Sequence, residues 1–293
     1  MSKYTIKSYQ ESFLEDQEKV GTEVTKEWQA FGQTPAAMLK TIYSQPGFDP
    51  ETKQYAFEGE TLVGFITSGI TEDDPKKANL ELPIVLPEHE DCSELLFNKA
   101  IEVLKQKGVT KVQTRVGDNW PGTKEKAEQW GYSYSQKLYV LVAAKIKDLS
   151  ISSTSKAKIE EYDHSRDSDQ MVKIWVERFN QAKEYAEGNF KRIAENKEAF
   201  PIHLVIRKEN KIVGRGLASR NINNPKEFNL GTFVYETEED MKALLAEIVS
   251  RSKTLDGEEI NLFLYGDTLK LEEKYLTLGF QKAAQIDYYE KEI

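Results

Sequence analysis

One cysteine, Cys92, in 293 residues excludes an intramolecular disulfide and any zinc site built on several thiolates. Histidine is nearly as scarce: His89, His164 and His203 stand far apart without metal-ligand spacing, so no metal is expected. No apolar run approaches the ~20 residues that span a bilayer, and the opening MSKYTIKSYQ lacks an apolar signal core. A cytoplasmic protein with no membrane role is the resulting expectation. Basic charge is also in deficit. With a net charge of −9 and a pI near 5.2, nucleic acid and anionic membranes are poor partners, whereas a cationic or amine-bearing ligand is easier to accommodate.

What remains is ordinary globular material. Hydrophobic residues make up 39% and aromatics 11%, enough for packed cores, and 30% charged residues with a mean hydropathy of −0.61 suit a wet surface. The length fits two cores of about 150 residues, or one large one.

The sequence is written twice. The first half opens YTIKSY, runs an amphipathic helix with Val20, Val24, Trp28 and Phe31 on one face, and reaches the hairpin QYAFEGETLVGFITSGI. The second opens AKIEEYD, runs a helix with Met171, Ile174, Trp175 and Phe179 on one face, and reaches HLVIRKENKIVGRGLAS. Each half then continues as strand, helix, strand, helix and strand: NLELPIVL to YVLVAA in the first, EFNLGTFVY to AAQIDYYEK in the second. Val63-Gly64 matches Val213-Gly214 at 150 positions, Leu95-Leu96 matches Leu244-Leu245 at 149, and Gly131-Tyr132 matches Gly279-Phe280 at 148. Such steady offsets mark a tandem duplication. KIKDLSISSTSKAK, rich in Ser, Thr and Lys, reads as a linker without a buried face. The expected division is 1–146 for the first domain, 147–157 for the linker and 158–293 for the second domain.

Each half resembles the GNAT superfamily of acyl-CoA-dependent N-acetyltransferases. The resemblance rests on the element order and on three local matches. These are GETLVGF and NKIVGRG at the third strand, Val85-Leu86-Pro87 at the end of the fourth, and EEKYLTLGF before the last strand. It implies an α/β fold of two tandem GNAT-like domains, each with a mixed, mostly antiparallel sheet flanked by helices. It also implies transfer of an acetyl group from acetyl-CoA to a small-molecule or peptide amine, by direct attack on a thioester held in the cleft between the fourth and fifth strands.

The cofactor turn departs from the family's pattern. In the family, a Gln/Arg-x-x-Gly-x-Gly/Ala loop closes backbone N–H groups on a pyrophosphate at a helix start. Here Glu88, Glu90, Asp91 and Glu94 stand at that place in IVLPEHEDCSELL, and Glu236, Glu238, Glu239 and Asp240 in the second half. Carboxylates suit a helix N-terminus and oppose a phosphate. Acetyl-CoA is thus the implied cofactor while its Gly-rich loop is absent from both halves, and a self-capped, solvated helix start explains the turns equally well. An inactive pair of GNAT folds serving as a ligand-binding or protein-interaction module is the alternative to an enzyme.

Carried over by position, the resemblance makes Glu81 the candidate base and Tyr275 the candidate acid. Val85, Asn119 and Val234 become the candidate cofactor contacts. The first half has Ala127 where the second has Tyr275, and Leu230, six before Glu236, stands where the first has Glu81. Cys92 at a helix start is opposed as a thiolate by Asp91 and Glu94. His203 reads as a polar core residue, and Arg215 and Arg220 as either an anion site or a solvated strand edge.

Overall fold

The computed structural model of the chain describes residues 3–222 and 224–293. Its internal contacts divide it into two compact units: unit 1 is Met1–Tyr139 with Ala284–Ile293, and unit 2 is Val140–Ala283. Unit 1 contains β1 (Thr5–Ser8), α1 (Leu14–Thr25), α2 (Ala36–Tyr43), β2 (Lys53–Glu58), β3 (Thr61–Ile70), β4 (Lys77–Leu80), β5 (Ile84–Val85), α3 (Ser93–Gln106), β6 (Lys111–Gly117) and α4 (Thr123–Gln129). Strand β7 (Ser133–Lys145) runs from unit 1 into unit 2. Unit 2 continues with β8 (Ile159–Glu161), α5 (His164–Phe179), α6 (Lys183–Glu195), β9 (Ile202–Lys208), β10 (Lys211–Arg220), β11 (Glu227–Leu230), α7 (Glu238–Thr254), β12 (Glu259–Tyr265) and α8 (Glu272–Thr277). Strand β13 (Gln281–Glu292) returns the chain to unit 1. No helix among the described residues is long and apolar enough to cross a membrane.

The strands of unit 1 lie in the order β1-β2-β3-β4-β6-β13-β7, with β5 on β3; those of unit 2 lie as β7-β12-β11-β10-β9-β8. Among the registered pairs of the described residues, β4 with β6 and β11 with β12 are parallel and the others antiparallel. Helices α3 and α7 cover the sheets for the same reason. Leu96, Phe97, Ala100, Val103 and Leu104 are buried on α3, and Met241, Leu244, Leu245, Ile248 and Val249 on α7, an apolar stripe at helical spacing.

The final strand explains why unit 1 does not end near residue 146. Residues Ile286 to Glu292 pair with Gly117 to Lys111 of β6. Tyr289 is buried in the unit 1 core, Glu290 is paired with Lys77 and Lys111, and Lys291 donates to the Trp130 carbonyl. Nor is 147–157 a linker without a buried face. Ile146 and Leu149 are buried in the unit 2 core, with Ile151 and Ala157 packed against it. The few apolar residues spaced among the serines suffice to anchor the segment.

Two further elements are shorter than their sequence pattern suggests. Helix α1 stops at Thr25, whose Oγ1 bonds back to the Gly21 carbonyl at 2.7 Å, and Trp28 and Phe31 leave the helix to meet Trp120 at 4.8 and 5.3 Å. NLELPIVL splits into β4 and β5 across Glu81–Pro83, since proline has no N–H to give to a ladder. Gly64 of the Val-Gly signature admits β5: a Cβ there would lie 2.7 Å from Val85 Cγ2 and 3.1 Å from the Ile84 carbonyl oxygen.

A fragment of residues 1–146 lacks β13 and is expected to fail as a cooperatively folded domain. The same fragment followed by a flexible linker and residues 281–293 is expected to fold. Urea denaturation followed by circular dichroism checks both outcomes.

Candidate active site

Strand β4 stays beside β6 only as far as the pair Asn79↔Gln113. Beyond it the backbone N–H of Glu81 donates to the Thr67 carbonyl at 3.0 Å, so the chain remains with β3 while it leaves β6. A wedge opens there. Lys53 is the β2 partner of Thr67, and Arg115 lies two residues past the last β4–β6 pair. Lys53, Thr67, Glu81 and Arg115 thus form one row across the sheet, and all four side chains line a cavity of about 390 Å³. Trp28, Phe31, Tyr43 and Phe65 supply its aromatic walls.

The row is ionic. Arg115 Nε donates to Glu81 Oε1 at 2.9 Å, and its guanidinium lies 5.9 Å from the centre of the Phe31 ring. Lys53 Nζ donates to the Ser68 carbonyl and to Thr52 Oγ1, and faces the Tyr43 and Phe48 rings at 5.6 and 5.9 Å. Burial lowers its pKa from 10.5 to about 8, opposed only in part by the charges of Asp49 and Glu81. Neither Lys53 nor Arg115 stands out in the sequence. Their signal is strand register, which places residues 53, 67, 81 and 115 side by side.

A second cavity of about 530 Å³ adjoins the first and shares Trp28, Leu82 and Thr123 with it. Val85 lines it with Pro83, Pro87, Glu90 and Lys126. Asn119 does not line either cavity; in the turn after β6 its Nδ2 donates to Gln29 Oε1 at 3.0 Å. Trp120 Nε1 donates to the Gln29 carbonyl at 2.9 Å, so this pair of residues ties the loop after α1 to the turn after β6. Gly117 permits it, since a Cβ there would lie 2.5 Å from the Trp120 ring.

Unit 2 repeats the frame and changes its contents. Gly231 N donates to the Leu217 carbonyl at 2.9 Å, the counterpart of Glu81 with Thr67, so register aligns Glu81 with Gly231 rather than with Leu230. The row reads His203, Leu217, Gly231, Phe263, without a carboxylate. Arg215 is not at a solvated edge. It is buried at the position of Phe65, where its Nε donates to His203 Nε2 at 3.0 Å, its Nη1 to the Thr232 carbonyl at 3.0 Å, and its guanidinium stacks 4.8 Å from the Trp175 ring. Burial and the Arg215 charge push His203 down to about 2, so it is a neutral acceptor, stacked on Tyr162 at 4.0 Å.

Tyr275 lines a different cavity of unit 2, about 570 Å³, with Phe233, Tyr235, Phe263, Tyr265 and Leu271. Burial raises its pKa and keeps the phenol protonated. Val234 lies between Phe233 and Tyr235, bridges to Arg215 and is buried among Trp175 and Phe190. By register it is the counterpart of Ile84, which makes Tyr235 the counterpart of Val85. Glu81, Val85 and Asn119 therefore belong to unit 1, and Tyr275 and Val234 to unit 2.

The acidic turns are occupied by the protein's own contacts. Helix α3 has no side-chain cap: a 3-10 turn, Pro87–Cys92, leads into it. Within that turn Asp91 accepts from the Tyr4 hydroxyl at 2.5 Å, and Glu90 pairs with Lys126 of α4 at 2.6 Å. Unit 2 has the same cross-tie, Glu238 to Lys274 of α8 at 3.1 Å, with both partners displaced by 148 positions. Thr237 caps α7 by accepting from Asp240 N at 3.1 Å. Glu239 accepts from Thr154 N at 2.7 Å and Oγ1 at 2.9 Å, and Asp240 from Ser155 Oγ at 2.8 Å. Burial and the Asp91 and Glu90 charges push the Cys92 thiol up to about 11.

Carboxylates in these turns oppose an anionic group such as a diphosphate. A carboxylate ~4 Å from a phosphate costs about 4 kcal/mol at an effective dielectric of 20, and no glycine at either turn lets the backbone close around it. Residues 153–155 in addition cover the start of α7 in unit 2.

Two outcomes follow from the charges. Thr154 N–H, Lys242 and Thr154 Oγ1 hold Glu239 down to about 2. Glu239→Gln is therefore expected to speed amide exchange over residues 153–157 at pH 7, and wild type to lose the same protection as pH falls from 4.5 toward 2, read by hydrogen exchange. For Lys53, the folded pKa lies below the unfolded one, so its destabilising charge is fully present below pH 8 and gone above about pH 10.5. Lys53→Met is expected to gain about 1–2 kcal/mol at pH 7, and that gain to vanish by pH 10.5, measured by thermal melts.

No family model matches the sequence, and no curated protein matches it. Among solved structures, a GCN5-related N-acetyltransferase from Sphaerobacter thermophilus aligns at a TM-score of 0.69 and 11% identity, over 100% of this chain and 96% of that one. A tandem GNAT protein from the clavulanic acid biosynthesis pathway aligns at 0.68 and 12%, over 99% and 98%. A GNAT-family acetyltransferase from Colwellia psychrerythraea aligns at 0.64 and 16%, over 98% and 99%. At these identities the likeness is one of architecture, and it spans both units: the fold of this chain is that of a tandem GNAT protein.

Proposed function

We propose that the chain is a GNAT-fold N-acyltransferase acting on a small-molecule or peptide amine, with unit 1 as its working half. The observation that supports this is the ionic row at the wedge, with Glu81 on the floor of a cavity of about 390 Å³. A carboxylate there receives the acceptor's ammonium and takes a proton from its nitrogen, leaving a neutral amine as nucleophile. Arg115 positions Glu81 through Oε1, and a carboxylate has room for about four hydrogen bonds, so this pairing leaves capacity for the amine. Trp28, Leu82 and Thr123 divide this acceptor cavity from the one at Val85.

No step is assigned to the donor, because the diphosphate end of acyl-CoA does not fit either turn. In unit 2, Tyr275 has no carboxylate in the adjoining row, and its raised pKa makes it a weaker proton donor than an ordinary tyrosine. A second reading, a ligand-binding or interaction module without transfer, is favoured by the occupied acidic turns.

Thermal melting separates the two. Acetyl-CoA at about 1 mM is expected to stabilise an acyltransferase by about 2.7 kcal/mol if it binds at ~10 μM. The absence of any shift, with no amine acetylated, removes the first reading. Where turnover is found, Glu81→Gln is expected to lower kcat by about 10²–10⁴-fold and Tyr275→Phe by much less; comparable losses would place the chemistry in both units.

A further inference from the structure

Of the charges around the unit 1 cavity, two cancel. Glu81 and Arg115 meet at 2.9 Å, which leaves Lys53 as the surplus cation among the described residues lining it. Asp49 and Glu81 act on it through space, and Asp49 is itself engaged by Lys107 at 2.6 Å. An ammonium carries three donors. The Ser68 carbonyl and Thr52 Oγ1 take two, leaving the third for a ligand. The cavity therefore presents a carboxylate at one place in its row and an uncompensated ammonium two strands away, a backbone separation of roughly 10 Å. Aromatic walls lie on either side. The volume is at the low end of the ~300–1,000 Å³ of small-molecule pockets, which limits the ligand to a small one. Unit 2 has neither charge in its row, so the pattern is not a by-product of the fold.

We propose that the ligand of this cavity is a small amino carboxylate, whose carboxylate pairs with Lys53 and whose amine pairs with Glu81. This rests on the reading of the cavity as the acceptor site and narrows it from amines at large to zwitterions with an apolar spacer. A simple diamine or monoamine leaves the Lys53 ammonium facing a second cation or nothing, and an unpartnered buried charge is costly. Desolvated ion pairs of this kind discriminate because the wrong ligand strands a charge rather than merely losing a contact.

The test is calorimetric titration of the full chain at pH 7, without any acyl donor. Matched probes are 3-aminopropanoate against ethylamine, 4-aminobutanoate against propylamine, 5-aminopentanoate against butylamine, and lysine against 1,5-diaminopentane. At least one amino carboxylate is expected to bind tenfold or more tightly than its decarboxylated partner. Lys53→Met is expected to remove that preference, with the amino carboxylate losing affinity while the plain amine holds or gains it, and Lys53→Arg to keep most of it.

Wild type supplies a check that needs no variant. Raising pH from 7 to 10 takes Lys53 through about 8, and the preference should fall with it. The groups facing Lys53 are Tyr43 of α2, Asp49 before β2, Glu81 after β4 and Arg115 of β6. Comparing ratios within a pair largely cancels the ligand amine's own titration.

The proposal is overturned if no pair favours the carboxylate, if none of the probes binds, or if the preference survives both Lys53→Met and pH 10. Its fate is separable from that of the acyltransferase reading. Carboxylate preference without acetylation removes the enzyme and leaves the ligand class; acetylation of plain amines without the preference does the reverse.

Discussion

Every β-strand must find partners for its N–H and C=O groups, and the strand that begins at β4 changes its partners midway. Up to Asn79 it is hydrogen-bonded on both sides; from Glu81 onward it keeps β3 and gives up β6. Pro83, with no N–H, falls in the stretch that has left β6, and Gly64 lets the departing segment return close to β3 as β5. The wedge creates the floor on which Glu81 and Arg115 meet, the cavity behind them and the second cavity at Val85. Without that parting, the row from Lys53 to Arg115 would be an ordinary stripe on a closed sheet.

The two units show how one frame is given different uses. Unit 1 keeps its row ionic and accepts a half-buried ammonium that folding alone disfavours. Unit 2 has Gly231 and Leu217 in that row and places Arg215 in the space beneath it, sealed by His203, Trp175 and Phe190. Both units tie the acidic turn to the following short helix with a lysine, Lys126 or Lys274. Because both ties recur at one offset, the acidity of the turns belongs to the duplicated design rather than to loss in one half.

Much of the element order was legible in the residues, since apolar periodicity over α3, α5 and α7 and the Glu209-Asn210 turn are local signals. The misreadings came from places where distant partners overrule local pattern. Trp28 and Phe31 continue a helical stripe yet are claimed by Trp120. Ile146, Leu149 and Ile151 lie in a polar segment yet find the unit 2 core. Of the candidate residues, Glu81 was visible by its spacing from Pro87, whereas Lys53 and Arg115 were not, being 28 and 34 positions from Glu81. Arg215 looked like an edge residue because nothing nearby in sequence announces His203 as its partner.

By itself the sequence determined that the chain is duplicated, that each half alternates strands and helices in one order, and that the turns leading into α3 and α7 are both acidic and lack glycine. Periodicity, turn residues and charge are local, and duplication is a property of the string. Only the tertiary structure decided that the last ten residues complete unit 1, that Glu81 aligns with Gly231, and that Lys53 shares a cavity with Glu81 and Arg115. The physical reason is register: hydrogen-bonded strands bring far-separated residues side by side, and which ones meet is settled by pairing across the sheet.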